Sequence, residues 1–163
     1  MLKIIATGPE SSGKTTLCKA LSKHFNLPFS KEYAREYLDA LNRDYNQDDL
    51  LKIAKGQLQA ENGIQLLDTD LITLKIWSEY KYGSCDKWIL NQIEKQKSEK
   101  RFYLLCKSDI PWEADPQREN PNNREELFEI YKTELESLGH TYFVVEGKDR
   151  VEKSISKISN LIS

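Results

Sequence analysis

Gly8-Pro9-Glu10-Ser11-Ser12-Gly13-Lys14-Thr15 satisfies G-x-x-x-x-G-K-[ST] at every fixed position. The chemistry served by that spacing is polyphosphate binding. The glycines let the backbone curl until successive N–H groups face one concave point, and the positive end of the following helix adds to the pull on an anion. In such a loop Lys14 reaches the β- and γ-phosphates, and the Thr15 hydroxyl ligates Mg²⁺. Glu10, Ser11, Ser12 and Thr16 complete the candidate nucleotide-binding set with Gly8 and Gly13. The donor expected here is ATP with Mg²⁺.

Two further segments carry charge suited to the same crevice. The apolar run Ile64-Gln65-Leu66-Leu67 ends in Asp68-Thr69-Asp70. A carboxylate at the C-terminal end of a parallel strand points into the crevice where ligands of such sheets bind. Asp68 is therefore the candidate to hold Mg²⁺, directly or through water. Asp70 is the candidate to contact a substrate hydroxyl or act as its base. A plainer reading stays open, in which Thr69 or Asp70 caps the next helix. Glu32-Tyr33-Ala34-Arg35-Glu36 follows a short strand and should also reach the crevice. Glu32 and Arg35, at i and i+3, suit a helical ion pair equally well.

Residues 107–123 hold three of the five prolines together with Trp112, Asp115 and Arg118, and Arg124 follows them. Phosphoryl transfer needs positive charge on the γ-phosphate and exclusion of water, which an arginine-bearing lid supplies. A solvated charged loop is the alternative. The candidate catalytic set is thus Lys14, Asp68, Asp70 and Arg118.

These residues have to be held by regular elements, and the apolar pattern supplies them. Leu2 to Thr7 reads as a buried strand, and Lys14 to Phe25 as an amphipathic helix with Leu17, Leu21 and Phe25 on one face. Phe29 and Ser30 form a second short strand. Asn46 caps a helix from Gln47 to Glu61 whose first-turn Asp48 and Asp49 suit the helix dipole. Ile64 to Leu67 is a third strand, followed by helices from Leu71 to about Lys81 and from Asp86 to Lys97. Phe102 to Cys106 is a fourth strand. A helix from Arg124 to Leu138 stops at Gly139, Tyr142 to Val145 is the fifth strand, and Val151 to Ile162 closes the chain. Strands alternating with helices imply crossover connections, hence an α/β fold of the P-loop type with a parallel five-stranded sheet covered on both faces.

At 163 residues the chain suits one domain, with residues 107–123 as its lid. A formal net charge of −2 gives no overall attraction to nucleic acid or to an anionic membrane. Three cysteines, Cys18, Cys85 and Cys106, with no CxxC pair make neither a disulfide framework nor a zinc signature. The N-terminus enters a strand directly, with no apolar run long enough for a signal peptide or membrane span. The expected setting is cytoplasmic.

The run Thr7 to Thr15, the segment Glu32 to Glu36, Asp68-Thr69-Asp70, and Trp112 with Asp115 and Arg118 together resemble the nicotinamide riboside kinase domain of bacterial NAD-biosynthesis regulators. The resemblance spans nearly the whole chain, in order and at similar spacing. It implies a nucleoside-kinase-like sheet, ATP with Mg²⁺, and transfer of the γ-phosphate to the ribose 5′-hydroxyl of nicotinamide riboside. It also implies that Glu32, Tyr33 and Arg35 lie near the riboside, that Asp68 and Asp70 face metal and substrate, and that Trp112 and Arg118 belong to the lid. Trp112 would stack on the flat cationic pyridinium ring. Pro116 stands where that family's lid pattern has a glycine. No HxGH motif of an adenylyltransferase is present, so the resemblance implies a stand-alone kinase without repressor activity.

Two other readings use the same loop. A kinase for another nucleoside, nucleotide or cofactor precursor would share loop, metal and lid and differ in the acceptor pocket. A nucleotide switch would draw on Cys106-Lys107-Ser108-Asp109, which resembles the base-reading NKxD of GTPases, but no DxxG segment accompanies it.

Overall fold

The computed structural model describes residues 1–162. Five strands, β1 (Lys3–Thr7), β2 (Phe29–Ser30), β3 (Leu66–Asp68), β4 (Arg101–Cys106) and β5 (Thr141–Val145), form one sheet in the order β2-β3-β1-β4-β5. Every pairing is parallel. The helices are α1 (Lys14–Phe25), α2 (Tyr33–Asp39), α3 (Gln47–Ala60), α4 (Leu71–Tyr82), α5 (Lys87–Gln96), α6 (Arg124–Ser137) and α7 (Arg150–Ile162). The α/β expectation and the five parallel strands are met, and α2 is an added element that the apolar pattern did not mark. The third strand begins later than its apolar run suggests, because Ile64 and Gln65 still belong to the turn out of α3.

Side-chain alternation along each strand divides the core in two. Ile4, Ala6, Leu66, Phe102, Leu104 and Cys106 pack with Leu17, Cys18 and Leu21 of α1 and Ile158 of α7. Ile5, Leu67, Tyr103 and Leu105 face the other way, against α3, α4, α5 and α6. Burying one such Leu or Ile is worth about 1.5–3 kcal/mol, so each face holds its helices firmly. The strand order reverses around β1, and the carboxyl ends of β1, β2 and β3 open onto one crevice.

Local signals end the helices where expected. Asn46 and Asp49 form a reciprocal capping box at the start of α3. Asn26, at φ 52°, closes α1, and Gly139, at φ 76°, follows α6. Among the described residues no helix is long and apolar enough to cross a membrane. Cys18 and Cys106 are buried free thiols, and Cys85 is half-buried.

Candidate active site

The loop after β1 can form only with glycine at two positions. Gly8 lies at φ 135°, and a Cβ there would sit 2.6 Å from the carbonyl oxygen of Cys106 on β4. Gly13 lies at φ 86° as the N-cap of α1, which leaves the first amides of that helix directed into the loop. Ser12 Oγ donates to Pro9 O (2.7 Å) and braces the curve. Lys14 Nζ folds back to donate to Gly8 O (2.7 Å) and Pro9 O (3.0 Å). Burial opposes its charge, but Tyr131, Glu32 and Asp68 outweigh that and hold its pKa above the ordinary lysine value.

Thr15 and Asp68, expected separately at the metal, meet directly in the fold. Thr15 Oγ1 donates to Asp68 Oδ2 (2.7 Å), joining the first turn of α1 to the end of β3. Asp68 is 2% exposed, and its Oδ1 has no hydrogen-bond partner among the described residues. Burial raises its pKa against the opposing pull of Thr15 and Lys14. A buried carboxylate oxygen left over beside a threonine hydroxyl fits a hard divalent cation. No group of three or more His, Cys, Asp or Glu side chains among the described residues could cage such an ion alone. Phosphate oxygens and water would have to supply the remaining ligands.

A cavity of about 1690 Å³ runs from this loop along α2 to α4 and α6. Glu32, at the end of β2 and N-terminal to α2, lines it and makes no capping bond there. Burial raises the Glu32 pKa, Lys14 opposes the rise, and Asp68 adds to it. Tyr33 and Arg35 also line the cavity, as does Arg118. The expected helical pair between Glu32 and Arg35 does not form. Arg35 Nη1 instead donates to both oxygens of Asp115 (2.8 and 2.7 Å).

Residues 107–123 carry no helix or strand and lie across the mouth of the cavity. The Glu10 carboxylate accepts from the backbone amides of Glu119 (3.0 Å) and Asn120 (3.0 Å), and Ser11 Oγ accepts from Glu113 N (2.9 Å). Gln117 Nε2 donates to Asp39 Oδ1 (2.6 Å), and Glu119 accepts from Tyr45 and Lys81 on the far wall. Arg118 donates to Glu113 O within the segment. Thr16 and Lys19 complete the cavity wall on α1.

Two sequence expectations need correction. Asp70 does not reach the cavity: it is fully buried, caps α4 by accepting from Ile72 N (3.2 Å), and pairs with Arg101 Nη2 (2.8 Å) and Tyr103 OH (2.6 Å). The intervening Thr69 has φ 77°, which turns the chain so that Asp68 and Asp70 face different surroundings. With its oxygens committed beneath the sheet, Asp70 cannot meet an acceptor hydroxyl. Trp112 does not line the cavity either, and its ring lies beside the Arg124 guanidinium at 5.5 Å.

Other residues of the site were not found by motif. Thr73, Ile76, Trp77 and Tyr80 line the cavity from α4, and Tyr131 lines it from α6. Their i, i+3, i+4, i+7 spacing on α4 was the available signal. Arg150 donates to Ser12 O (2.6 Å) and Lys107 O (3.2 Å), bolting the phosphate loop to the segment after β4. A cation in the first turn of α7, at the positive end of its dipole, was the local anomaly that marks it. Asp109 pairs with Arg150 and accepts from Gly147 N (2.8 Å), so the carboxylate that a base-reading NKxD would need is already engaged.

A family model described as an AAA domain matches residues 3–153. The trifunctional NAD biosynthesis/regulator protein NadR of Escherichia coli (strain K12) is 27% identical over 157 residues, covering 87% of this chain and 37% of that protein. The chain thus spans little more than a third of that curated relative. A crystal structure of NadR protein in complex with NR is similar at TM-score 0.73 and 26% identity, over 98% of this chain and 50% of that one. The NadR complex with NAD and AMP-PNP gives a TM-score of 0.72 at 25% identity, over 98% and 49%.

Proposed function

This chain belongs to the AAA-domain family, and from that premise we propose that it is an ATP-dependent kinase that phosphorylates the ribose 5′-hydroxyl of nicotinamide riboside. The observation that carries this reading is a single cavity with a phosphate loop at one end, an uncapped carboxylate at Glu32 in the middle and an aromatic wall of Trp77, Tyr80 and Tyr131 beyond. The similarity to NadR, whose solved complexes hold NR and an ATP analogue, supports the same assignment.

In this mechanism the loop amides and Lys14 grip the β- and γ-phosphates. Thr15 and Asp68 would hold Mg²⁺, which would supply neutralisation of charge on the phosphate oxygens. Glu32 accepts a hydrogen bond from the acceptor hydroxyl and orients it in line with the γ-phosphorus, taking its proton as the new P–O bond forms and the bond to the ADP oxygen breaks. Its raised pKa suits that task, since a base nearer the operating pH drives proton transfer better. Residues 107–123 act as the lid: their clasp on Glu10, Ser11, Arg35 and Asp39 excludes water, and Arg118 brings positive charge to the transferring group. The aromatic wall suits a planar cationic ring.

The test is ADP release by the purified chain with Mg²⁺, ATP and nicotinamide riboside, beside a panel of nucleosides and nucleotides. Release dependent on the riboside is the expected result. Release only with another acceptor keeps the mechanism and replaces the substrate, and release indifferent to every acceptor rejects the kinase reading.

A further inference from the structure

Gln57 is fully buried on the inner side of α3, and nothing in phosphate chemistry asks for an amide there. Its Nε2 donates to Thr69 O (3.2 Å), and its Oε1 accepts from Tyr33 N (2.9 Å). The first partner is the carbonyl of the residue after Asp68, in the peptide that joins Thr69 to Asp70, and the second is the amide of the peptide that joins Glu32 to Tyr33. A backbone carbonyl only accepts and a backbone N–H only donates, so the side chain between them must offer one of each. A neutral amide does so; an ionised carboxylate or a hydrocarbon does not.

Both partners need holding. Thr69 is β-branched at φ 77°, a conformation that persists only where its surroundings over-determine it. Its N–H donates to Ala6 O (3.0 Å) on β1, and Gln57 fixes its carbonyl. Tyr33 opens α2, where its N–H has no partner within the helix. The preceding Gly56 leaves room for that turn: a Cβ there would lie 2.1 Å from the Tyr33 ring. Adjacent residues of α3 thus admit the Tyr33 ring and tie its amide to the turn beside Asp68.

Resting on the kinase reading above, we infer that Gln57 is a positioning residue that couples the metal-side turn at Asp68 to the acceptor-side turn at Glu32. A change at Asp68 when nucleotide binds moves the Thr69 carbonyl, and the rigid amide passes that movement to Tyr33 N and so to Glu32.

The test is amide hydrogen exchange at Tyr33, with and without Mg²⁺ and a non-hydrolysable ATP analogue, in the full chain. In the parent protein the analogue should slow exchange at Tyr33 by about fivefold or more, the worth of one strengthened hydrogen bond. Gln57→Met should lose both basal protection and the response. Gln57→Glu, read at a pH where the carboxylate is ionised and so accepts from Tyr33 but offers Thr69 no donor, should keep basal protection and lose the response. In both variants kcat should fall about tenfold while analogue affinity changes less than about twofold, the split expected of a group acting on the transition state. A parent protein unmoved at Tyr33, or a Gln57→Met variant that responds like the parent, overturns the inference. The parent arm needs no variant to fold. Because exchange is read without an acceptor, absence of riboside turnover would reject the substrate and leave this result standing.

Discussion

At the scale of single residues the site is a set of charges held away from water, and their protonation gives it a testable signature. Lys14→Ala should abolish turnover while the far-ultraviolet spectrum stays unchanged, because the side chain's hydrogen bonds go only to loop carbonyls. Glu32 is the more informative position. Burial makes it hold its proton more tightly in the folded chain than in the unfolded one, above its ordinary 4.5. A group of that kind favours the folded state at acid pH, and its contribution is lost as pH rises through the folded value. Glu32→Gln should therefore match the parent in stability below about pH 4 and exceed it above that window, as read from urea midpoints across the range. The same variant should lose about 10²–10⁴ in kcat, the usual worth of a positioned base. A variant no more stable at neutral pH would mean that the carboxylate is not desolvated, and unchanged kcat would remove it from the chemistry.

At the scale of elements the lid is a series of weak clasps rather than one strong one. Its ties to Arg35, Asp39 and Lys81 join exposed or half-exposed groups, where water screens each pair and leaves it weak. Asp115→Asn should leave thermal stability unchanged, raise the riboside KM about two- to fivefold, and increase ATP hydrolysis relative to transfer, since a looser lid admits water. The effect should shrink in the parent–variant comparison at high salt, which weakens the parent clasp by itself. Loss of thermal stability without a change in that ratio would make the clasp a folding contact. This scale also shows what can be read along the chain. Lys14 to Phe25 begins and ends where its periodicity places it, because Gly13 and Asn26 mark the helix ends in residue type. That Thr15 and Asp68 lie in one crevice followed from motif and strand end, and their direct hydrogen bond was visible only in the fold. The Arg35–Asp115 clasp, the Arg150 bolt and the aromatic wall on α4 did not, because each depends on how distant segments converge, and periodicity carries no information about that. Asp70 shows the same limit from the other side: residue type suited it equally to base and cap, and only the turn at Thr69 decides.

At the scale of the whole molecule the two ends of the sheet are joined by a buried ionic cluster. Arg101, fully buried at the start of β4, lies between Asp70 and Glu61 (2.8 and 3.2 Å), with Tyr103 OH bonded to both Arg101 and Asp70. Burial works against Glu61's charge and raises its pKa; Arg101 opposes the rise, while the neighbouring Asp70 adds to it. The cluster thus holds more carboxylate than its one guanidinium balances: Glu99 also pairs with Arg101 (2.9 Å), and Lys3 at 3.7 Å from Glu61 offsets only part of the excess. Removing the Asp70 charge is then less damaging than breaking an isolated buried pair, because Glu61 still balances Arg101. Asp70→Asn should cost about 1–3 kcal/mol in denaturant unfolding, the range for a lost hydrogen bond to a charged group or a buried partner left unsatisfied. The amide oxygen can still accept from Ile72 N, so the cap on α4 survives. Turnover per folded molecule should stay within about twofold of the parent, because no oxygen of Asp70 faces the cavity. Those two readouts separate the roles the sequence left open. A stability loss with intact kcat assigns Asp70 to the cluster, whereas intact stability with kcat reduced as far as in Glu32→Gln would return it to the acceptor hydroxyl and require the Thr69 turn to reverse during catalysis.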